Sequence, residues 1–431
     1  MKPRTTTAAG APAQWRRAFG FGVANGILFN FGAAFTDPAT ILPAFVSRLT
    51  ASGVAVGAVM VIAGGLNRLP QLVVANLMQT HRRKLHFYRA ASVVRVVCWP
   101  AIAAITYLYA AQSPGLALAG FFVFYGVFTV ASGVSSITFL DVISRTLPAN
   151  RLGRFFALRQ IVGGVLAFLA GFAVSGLLRD GGQAASVRDY AQVFAWGSVP
   201  IALALLAFSL MPEREGEAHE VRTPLATFLL RAPGLLKRDA NFRRFFWVQI
   251  LVGASAIAVP FYTLYCRRGL AIPETMIGTY VSATVLGRVA SNLVWGPLND
   301  RSGSLALLRL ATALNLLAPS LALALGLSPL PPSAEMWWFA AVFFFMGAAT
   351  AGGFIGATNY LMEASPELDR PLYLGVLNTF GGVVALFPIV GGIITDYAGF
   401  EALFAVAAAT AAAAALFTRR LAAPRREDAA S

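Results

Sequence analysis

The sequence predicts an all-α integral membrane protein with twelve transmembrane helices in two six-helix bundles, and three observations support this fold class. Of its 431 residues, 57% are hydrophobic and only 12% are charged, and the mean hydropathy is +0.67. These values exclude an ordinary soluble globule and a disordered chain. Apolar runs of about 20 residues, the length that crosses a bilayer, recur along the chain. The two halves of the chain also carry similar segments.

The predicted spans are separated by short polar turns. They cover residues 18–47, 53–79, 87–111, 115–141, 155–178, 190–211, 244–266, 275–297, 305–326, 336–362, 372–395 and 399–418. The first apolar run is longer than the core of a signal peptide, about 7 to 15 residues, and no small-residue cleavage site follows it. We therefore expect the first run to remain as a helix.

Basic residues are distributed unevenly between the two sides of these spans. With both termini placed in the cytoplasm, most of the 34 Lys and Arg residues fall at cytoplasmic ends or loops, which is the positive-inside pattern. The exceptions are Arg48, Arg179, Arg188, Arg267 and Arg268 outside, and Arg68, Arg95 and Arg288 within spans. The net charge of +15 therefore indicates the orientation of the protein in the membrane, and we expect no nucleic-acid partner. We expect the membrane to be a bacterial inner membrane.

The longest polar interval divides the predicted spans six and six. It begins with "PEREGEAHEVR" and ends with "LLKRDANFRR". We interpret it as a solvated cytoplasmic linker; a regulatory or partner-binding segment is the alternative. The predicted organisation is a cytoplasmic tail at 1–17, an N-terminal bundle at 18–211, the linker at 212–242, a C-terminal bundle at 243–418 and a cytoplasmic tail at 419–431.

The two bundles contain an internal repeat. Aligning Arg68 with Arg288 pairs "LNRLPQLVVANLMQTHRRK" with "LGRVASNLVWGPLNDRSGS" without a gap, and "QIVGGVLAFL" pairs with "NTFGGVVALF" at nearly the same offset. Glycine pairs at such positions let helix backbones approach closely. Paired repeats with a binding site near the midplane at their interface are a common transporter plan.

The loop after the eighth predicted span carries the clearest motif. The sequence there resembles the major facilitator superfamily, whose loop signature is roughly G-x-L-x-D-R-x-G-[RK]-[RK], and the resemblance extends over nearly the whole chain. The matching residues are Gly296, Leu298, Asp300, Arg301 and Gly303. The chain departs from the pattern where Ser304 replaces a basic residue.

The copy of this loop after the second predicted span is eroded. Its signature positions hold Asn76, Met78, Thr80 and His81, although the basic run "RRK" at 82–84 follows. The connection "LDVISRTLPANRLGRFFALRQ" is similar to the family's Asp, Pro and Arg-Gly-Arg style, with "LGR" where "RGR" is common. The eroded copy favours one alternative of another class, a non-transporting assembly factor or receptor built on the same fold.

The resemblance implies a secondary active transporter that works by alternating access, as a symporter or an exporter, with a cytoplasmic gate. Asp300 and Arg301, with Gly296 and Gly303, would form that gate. A carboxylate at the membrane edge can bind a helix N-terminus or a cation in one conformation and release it in the other. Two carboxylates near cytoplasmic helix ends, Asp141 and Glu363, are assigned to the gate as well.

Two arginines within spans are candidate ligand-binding residues. An ionisable side chain at the bilayer centre costs at least about 2.5 kcal/mol, so its presence there suggests a function. Arg68 and Arg288 each precede the gate-aspartate position by about 18 Å of helix, which places them near the midplane. Facing each other, they could clamp an anion in bidentate fashion. The alternative is that each arginine neutralises a carboxylate or caps carbonyl groups between helices.

Asp37 is a carboxylate deep in the first predicted span, followed by the kink-inducing Pro38. A carboxyl group at this depth could carry a coupling proton. Alternatively, Asp37 caps the helix that restarts at Pro38 or pairs with Arg68. Export of lipophilic cations would need aromatic side chains beside this carboxylate, and its helix face offers only the small Ala34.

Further polar residues are candidates for the substrate site. Tyr125, Thr129, Ser132 and Ser136 share one face of the fourth span, and the resemblance implies that spans 1, 4, 7 and 10 line the cavity. The remaining candidates are Asn30, Gln249, Asn292 and Asn359. Arg95, about two turns into the third span, is expected to extend its side chain to the cytoplasmic interface.

The sequence contains no nucleophile and base constellation and no phosphate-binding loop, so we expect neither an enzyme nor an ATP-driven pump. Cys98, Cys266 and the three histidines lack metal-ligand spacing, so no metal and no cofactor are expected. The predicted protein is a monomer in the lipid bilayer that carries a small anionic or zwitterionic metabolite, with proton coupling. Proton-coupled multidrug efflux is the alternative.

Overall fold

A computed structural model describes residues 11–78, 81–179, 187–213, 234–328, 330–366 and 370–423. These residues are almost entirely helical, and no strand occurs among them. The helices are α1 Ala11–Ala34, α2 Ile41–Leu49, α3 Gly53–Val61, α4 Asn67–Met78, α5 Leu85–Tyr109, α6 Pro114–Thr146, α7 Ala149–Leu177, α8 Asp189–Ser209, α9 Ala240–Ser255, α10 Val259–Arg268, α11 Thr275–Leu314, α12 Leu317–Leu327, α13 Pro332–Ala364, α14 Arg370–Val384 and α15 Phe387–Thr418. A π-helical turn at Ile62–Leu66 joins α3 to α4, and a 3₁₀ turn at Ala256–Ala258 joins α9 to α10.

Within the described residues, 9 helical segments are long and apolar enough to cross a membrane. Two of them, Thr275–Leu327 with 53 residues and Leu372–Thr418 with 47 residues, are more than twice the length that one crossing needs. Each is interrupted by a glycine with positive φ, Gly303 (φ 80°) in α11 and Gly399 (φ 86°) in α15. Gly303 falls in the turn predicted between spans eight and nine, and Gly399 is the first residue of the predicted span 399–418, directly after the turn predicted between spans eleven and twelve.

The helices α1 to α8 form the first half of the molecule and α9 to α15 the second. The face where α1 begins and where Gly303 turns the chain is called the terminal face here, and the opposite face, where α2 and α10 end, the distal face. The predicted linker at 212–242 lies mostly outside the described residues, and α9 begins within its last three residues.

Close glycine contacts join the two halves. Gly171 in α7 lies against Gly278 in α11, and Gly53 in α3 lies against Gly392 in α15. A Cβ atom added to Gly392 would come within 2.5 Å of the main chain of Gly53, so only glycine allows the backbones to approach this closely. Both contacts lie toward the distal face, where the halves are held together.

The buried side chains follow the same division. One large apolar cluster includes residues of both halves, among them Phe45, Phe194, Tyr262 and Phe404. A second cluster, which contains Phe242, Phe245, Tyr360 and Tyr373, belongs to the second half alone and lies toward the terminal face. The large cluster reaches the terminal face within the first half, through residues such as Ala18 and Phe155, whereas the second half has its own cluster there.

Candidate functional site

A cavity of about 830 Å³ lies between the two halves. The first half supplies most of its wall, through α1, α6, α7 and single residues of neighbouring helices, and the second half contributes α11 only. The lining residues with polar or aromatic side chains are Phe29, Asn30, Thr36, Asp37, Asn67, Trp99, Tyr125, Phe128, Thr129, Ser132, Gln160, Arg288 and Asn292. The helices α9 and α13, which correspond to spans 7 and 10 of the resemblance, do not line it.

Most of the predicted substrate residues meet in this cavity. Asn30, Tyr125, Ser132, Arg288 and Asn292 all line its wall. Of the stripe on α6, Thr129 also lines the cavity, whereas Ser136 hydrogen-bonds Gly133 and Gln71 within the first half. The structure therefore brings residues from α1, α6 and α11 together, although they are far apart in the chain.

The other predicted substrate residues lie elsewhere. Arg68 donates from Nη1 to the carbonyl oxygen of Gly381 at 2.6 Å and is not part of the cavity wall. This contact is the carbonyl-capping alternative, and the two arginines do not face each other across the cavity. Asn359 donates to Asn299 at 3.0 Å within the second half, and Gln249 on α9 is partly buried away from the cavity.

Asp37 lies in the break between α1 and α2 and lines the cavity. Its Oδ1 accepts hydrogen bonds from the N–H groups of Ala39 at 3.0 Å and Thr40 at 2.9 Å, and from the Thr40 hydroxyl at 2.8 Å. These bonds hold the turn between α1 and α2, as an aspartate side chain that bonds its own backbone two and three residues on commonly does; α2 itself begins at Ile41 after Thr40, without a side-chain cap. Because all three bonds use Oδ1, the turn does not occupy the second carboxylate oxygen.

Aromatic side chains form one part of the cavity wall. Phe29, Trp99, Tyr125 and Phe128 all line it. The argument against export of lipophilic cations considered only the helix face that carries Asp37, whereas α5 and α6 bring aromatic rings to the same cavity.

Arg95 lies directly behind this aromatic wall. Its guanidinium carbon is 4.9 Å from the ring centre of Phe128 and 5.4 Å from that of Phe29, distances at which a cation and a ring attract each other. The side chain is only 4% exposed, so the expectation that it extends to the interface is wrong. The aromatic faces offer this arginine an environment inside the bundle that the sequence does not reveal.

Arg159 is a second arginine inside the first half that sequence analysis did not single out. It donates to the carbonyl oxygen of Gly22 and to Oδ1 of Asn25, the latter at 3.1 Å, and its guanidinium lies 4.5 Å from the ring centre of Phe139. Its position within the predicted span 155–178 could have identified it, because an arginine inside an apolar span is costly. The arginine joins α1 to α7 beside the cavity.

A charged network joins the halves at the distal face, and sequence analysis missed it. The buried carboxylate of Glu274 accepts hydrogen bonds from Nε of Arg48 at 2.5 Å and from the hydroxyl of Tyr190 at 2.9 Å. Both donors belong to the first half. Arg267 of the second half lies 3.7 Å from the same carboxylate and donates to the carbonyl of Ser47. These four side chains, Arg48, Tyr190, Arg267 and Glu274, are called the distal network below.

Two further contacts strengthen this side. Arg268 donates to main-chain carbonyls of the first half, at Thr50 (2.7 Å) and Ala51 (2.9 Å). Asp396 of the second half accepts from the N–H of Gly53 at 2.9 Å. The sequence did contain a signal for these contacts. Arg48, Arg267 and Arg268 all belong to the arginines that depart from the positive-inside pattern.

At the terminal face, the carboxylate contacts of the described residues stay within one half. Asp141 binds Lys84 at 2.9 Å and Arg145 at 3.0 Å, all in the first half. At the corresponding place in the second half, Glu363 accepts from the hydroxyl of Ser304 at 2.5 Å. The repeat alignment pairs Lys84, the last residue of the basic run, with Ser304, where the chain departs from the signature. Each of these two residues contacts the predicted gate carboxylate of its own half.

The remaining signature residues lie at the surface of the terminal face. Asp300 and Arg301 are exposed, and within the described residues their side chains make no ion pair. Gly303 has the positive φ that a tight reversal requires, whereas Gly296 is helical. In the eroded copy, Thr80 and the side chain of Asn76 lie outside the part of the chain that the structure describes.

Among the residues that the structure describes, no group of three His, Cys, Asp or Glu side chains could hold a metal ion. Cys98 and Cys266 are buried as free thiols. The described residues form contacts between the halves at the distal face and a mixed polar and aromatic cavity, which suits reversible binding of a small solute.

Comparison with known proteins agrees with this geometry. Residues 245–431 match the family model of the Major Facilitator Superfamily. An uncharacterized protein of Mycobacterium tuberculosis is 24% identical over 393 residues, covering 89% of this chain and 73% of that protein. A protein of Mycobacterium bovis, also uncharacterized, matches equally.

Solved transporters share the fold over nearly the whole chain. A nucleoside transporter aligns with a TM-score of 0.71 at 14% identity, covering 94% of this chain and 99% of the other. A bacterial homologue of the iron transporter ferroportin, in an inward-facing state, gives 0.67 at 14% identity, covering 94% and 98%. A D-xylose-proton symporter gives 0.66 at 14% identity, covering 95% and 98%. At these identities the likeness establishes the fold and leaves the substrate open.

Proposed function

This chain has the fold of the major facilitator superfamily and matches its family model in the second half, and from this premise we propose that it is a secondary transporter for a small zwitterionic metabolite. The two halves would rock about the central cavity to expose it alternately at each face. The terminal face would be cytoplasmic, as the basic residues indicate. Twelve crossings follow if α1 and α2 form one span and the chain reverses at Gly303 and Gly399.

The observation that carries the proposal is the pair of opposite charges on the cavity wall. Asp37 comes from the first half and Arg288 from the second, and both line the same cavity. A zwitterion can satisfy both charges at once, so its binding would draw the halves together at mid-depth. A purely anionic ligand would leave the Asp37 carboxylate facing it.

The cavity also suits the size and the apolar part of such a solute. Small-molecule sites have volumes of roughly 300 to 1,000 Å³ and combine aromatic walls with a few polar groups, and the volume of about 830 Å³ falls in that range. Tyr125 and Phe128 would contact the apolar part of the solute, while the amides of Asn30 and Asn292 would hydrogen-bond its polar groups.

Export of lipophilic cations is the second candidate, because the aromatic wall and Asp37 lie together in the cavity. Such a substrate would use Asp37 and the rings of Phe29, Trp99 and Phe128. It would gain nothing from Arg288, whose charge would repel it. The two candidates therefore differ in the role of a single residue.

Thermal stabilisation of the purified protein by ligands separates the two candidates, since a compound that binds the native state raises its stability. The compounds are a panel of amino acids and other zwitterions, carboxylic acids and quaternary lipophilic cations. We expect stabilisation by a zwitterion that is lost in both Asp37→Asn and Arg288→Gln and is retained in Arg68→Gln, the matched arginine outside the cavity wall.

Other outcomes would favour other functions. Stabilisation by lipophilic cations that survives Arg288→Gln and is lost in Asp37→Asn would replace the zwitterion proposal with drug export. A compound that stabilises the protein yet shows no flux in proteoliposomes would point to the non-transporting class. Flux of the stabilising zwitterion that depends on a proton gradient in the wild type and not in Asp37→Asn would support proton coupling through this carboxylate.

A further inference from the structure

We propose that a basic pocket at the terminal face binds the phosphate headgroup of an anionic phospholipid. The pocket has a volume of about 230 Å³ and is lined by Trp15, Arg16, Phe19, Arg151 and Arg154. It lies where the start of α1 meets the start of α7, away from the central cavity. This site is separate from solute binding and does not depend on the proposed substrate.

The pocket places cations around one aromatic side chain. The guanidinium carbons of Arg16 and Arg151 lie 5.8 Å and 5.9 Å from the ring centre of Trp15, and Arg154 completes the wall. The ring of Trp15 meets that of Phe19 edge to face at 6.5 Å, and Phe19 in turn packs on Phe155. The aromatic floor fixes the geometry of α1 against α7 beneath the charges.

No carboxylate of the described residues neutralises the three arginines. Within the described ranges, Arg16, Arg151 and Arg154 make no ion pair, whereas the basic residues Lys84 and Arg145 of the same face both pair with Asp141. All three arginines are exposed. Three adjacent cations repel one another, so an anion of compact charge, such as a phosphate group, would relieve this repulsion.

The pocket lies at the perimeter of the bundle, at the level of the bilayer surface. Residues 11 and 18 positions apart share a helix face, and on α7 this relation connects Arg151 with Val162 and Leu169, which are 39% and 51% exposed. Val162 is about 16 Å along the helix from Arg151. The apolar outer face of α7 thus leads directly to the arginines, and a tryptophan beside them is typical of the interface.

The mixed wall favours a lipid over free phosphate. Arginines alone would serve a phosphate ion, but Trp15 and Phe19 offer apolar surface beside them, which suits the glycerol and upper acyl groups of a lipid. Basic pockets on the cytoplasmic side of membrane proteins commonly hold anionic headgroups. The orientation predicted from the basic residues places this pocket on that side.

Native mass spectrometry of the detergent-purified full chain would test the site. The protein is titrated with phosphatidylglycerol and, separately, with phosphatidylcholine of the same acyl chains. We expect one phosphatidylglycerol to bind more tightly than phosphatidylcholine, and the double variant Arg151→Gln, Arg154→Gln to weaken that binding by roughly 30-fold, which is the effect expected for two basic residues near an anionic headgroup. The variant Trp15→Leu should weaken it too, with all three charges retained.

The matched control removes two arginines from the other end of the chain on the same face. Arg419→Gln with Arg420→Gln changes the net charge equally and should leave the binding unchanged. An equal loss in this control would mean diffuse charge attraction and would overturn the pocket. Competition by inorganic phosphate at concentrations similar to the lipid would overturn the lipid assignment, as would undiminished binding in both pocket variants.

Discussion

The distal and terminal faces of this molecule use charged residues in opposite ways. At the distal face, Arg48 and Tyr190 of the first half meet Glu274 of the second, so breaking the contact weakens the link between the halves. At the terminal face, Lys84 meets Asp141 within the first half, and Ser304 meets Glu363 within the second. Buried or partly buried carboxylates therefore join the halves on one side and stabilise each half separately on the other.

The difference explains which side of the cavity is closed. The distal network and the part of the apolar core that both halves share lie toward the distal face, while the second half has its own cluster toward the terminal face. Alternating access would require the distal network to break while each half keeps its own terminal-face contacts. The four predictions below test this division, from the largest expected effect to the smallest.

The change Glu274→Gln should have the largest effect. It leaves Arg48 and Arg267 without their carboxylate, and removing one partner of a largely buried pair costs about 3 kcal/mol. Because Arg48 and Tyr190 belong to the other half, the distal face should also open. We expect a lower free energy of unfolding together with a longer distance between the halves.

Electron paramagnetic resonance can measure that distance. Spin labels at Gln112 and Leu327, exposed positions on the distal side of each half, report the separation once Cys98 and Cys266 are replaced by alanine. The matched control is Glu335→Gln, a carboxylate that is also buried near the distal end of the second half and lacks an ion pair in the described residues. An unchanged distance in Glu274→Gln would refute the role of the distal network.

The change Asp141→Asn should destabilise the protein without opening it. It removes the partner of Lys84 and Arg145, and a hydrogen bond to a charged group contributes about 2 kcal/mol. Since all three residues belong to the first half, the label distance should stay that of the wild type. A distance change as large as in Glu274→Gln would contradict the contrast between the faces.

The change Gly303→Ala should destabilise the terminal-face turn by about 1 to 2 kcal/mol, because its φ of 80° is costly for a residue with a Cβ atom. Space is not the obstacle, since no atom lies within 4 Å of the added group. Gly296→Ala is the control: this signature glycine is helical and equally open, so alanine should be neutral or slightly stabilising. Thermal unfolding of both variants measures the difference, and equal effects would count against the turn.

The change Arg68→Gln should have the smallest effect, about 1 kcal/mol or less. It removes the bond from Arg68 to Gly381, which joins the halves at mid-depth but lies at an exposed side chain. Arg288→Gln provides the comparison, and in the absence of ligand it should leave the unfolding temperature unchanged. A large loss of stability in Arg68→Gln would mean that the contact at mid-depth, and not the distal network, holds the two halves together.

Part of the site could be predicted from the sequence and part could not. Asn30, Tyr125, Ser132, Arg288 and Asn292 were identified because polar side chains within apolar spans are rare and costly, and they do line the cavity. The sequence treated Arg68 and Arg288 as equivalents, and the structure separates them. The internal repeat makes their helices similar, but the two halves present different faces to the cavity in one conformation.

The errors have a common physical origin. Arg95 was assigned to the interface by its distance from the helix end, whereas its environment is set by Phe29 and Phe128 on two other helices. Glu274 was overlooked because its partners Arg48 and Tyr190 are 226 and 84 positions away in the chain. Periodicity within one helix contains no information about rings or charges that neighbouring helices contribute.

The sequence by itself determined the membrane class and the approximate limits of the helical spans, because these depend on a local quantity, the length of the apolar runs. Only the tertiary structure decided which polar residues share the cavity, where Arg95 and Arg159 are buried and how Glu274 joins the halves. Those features depend on how each helix is rotated against its neighbours, and that rotation follows from packing of the whole bundle.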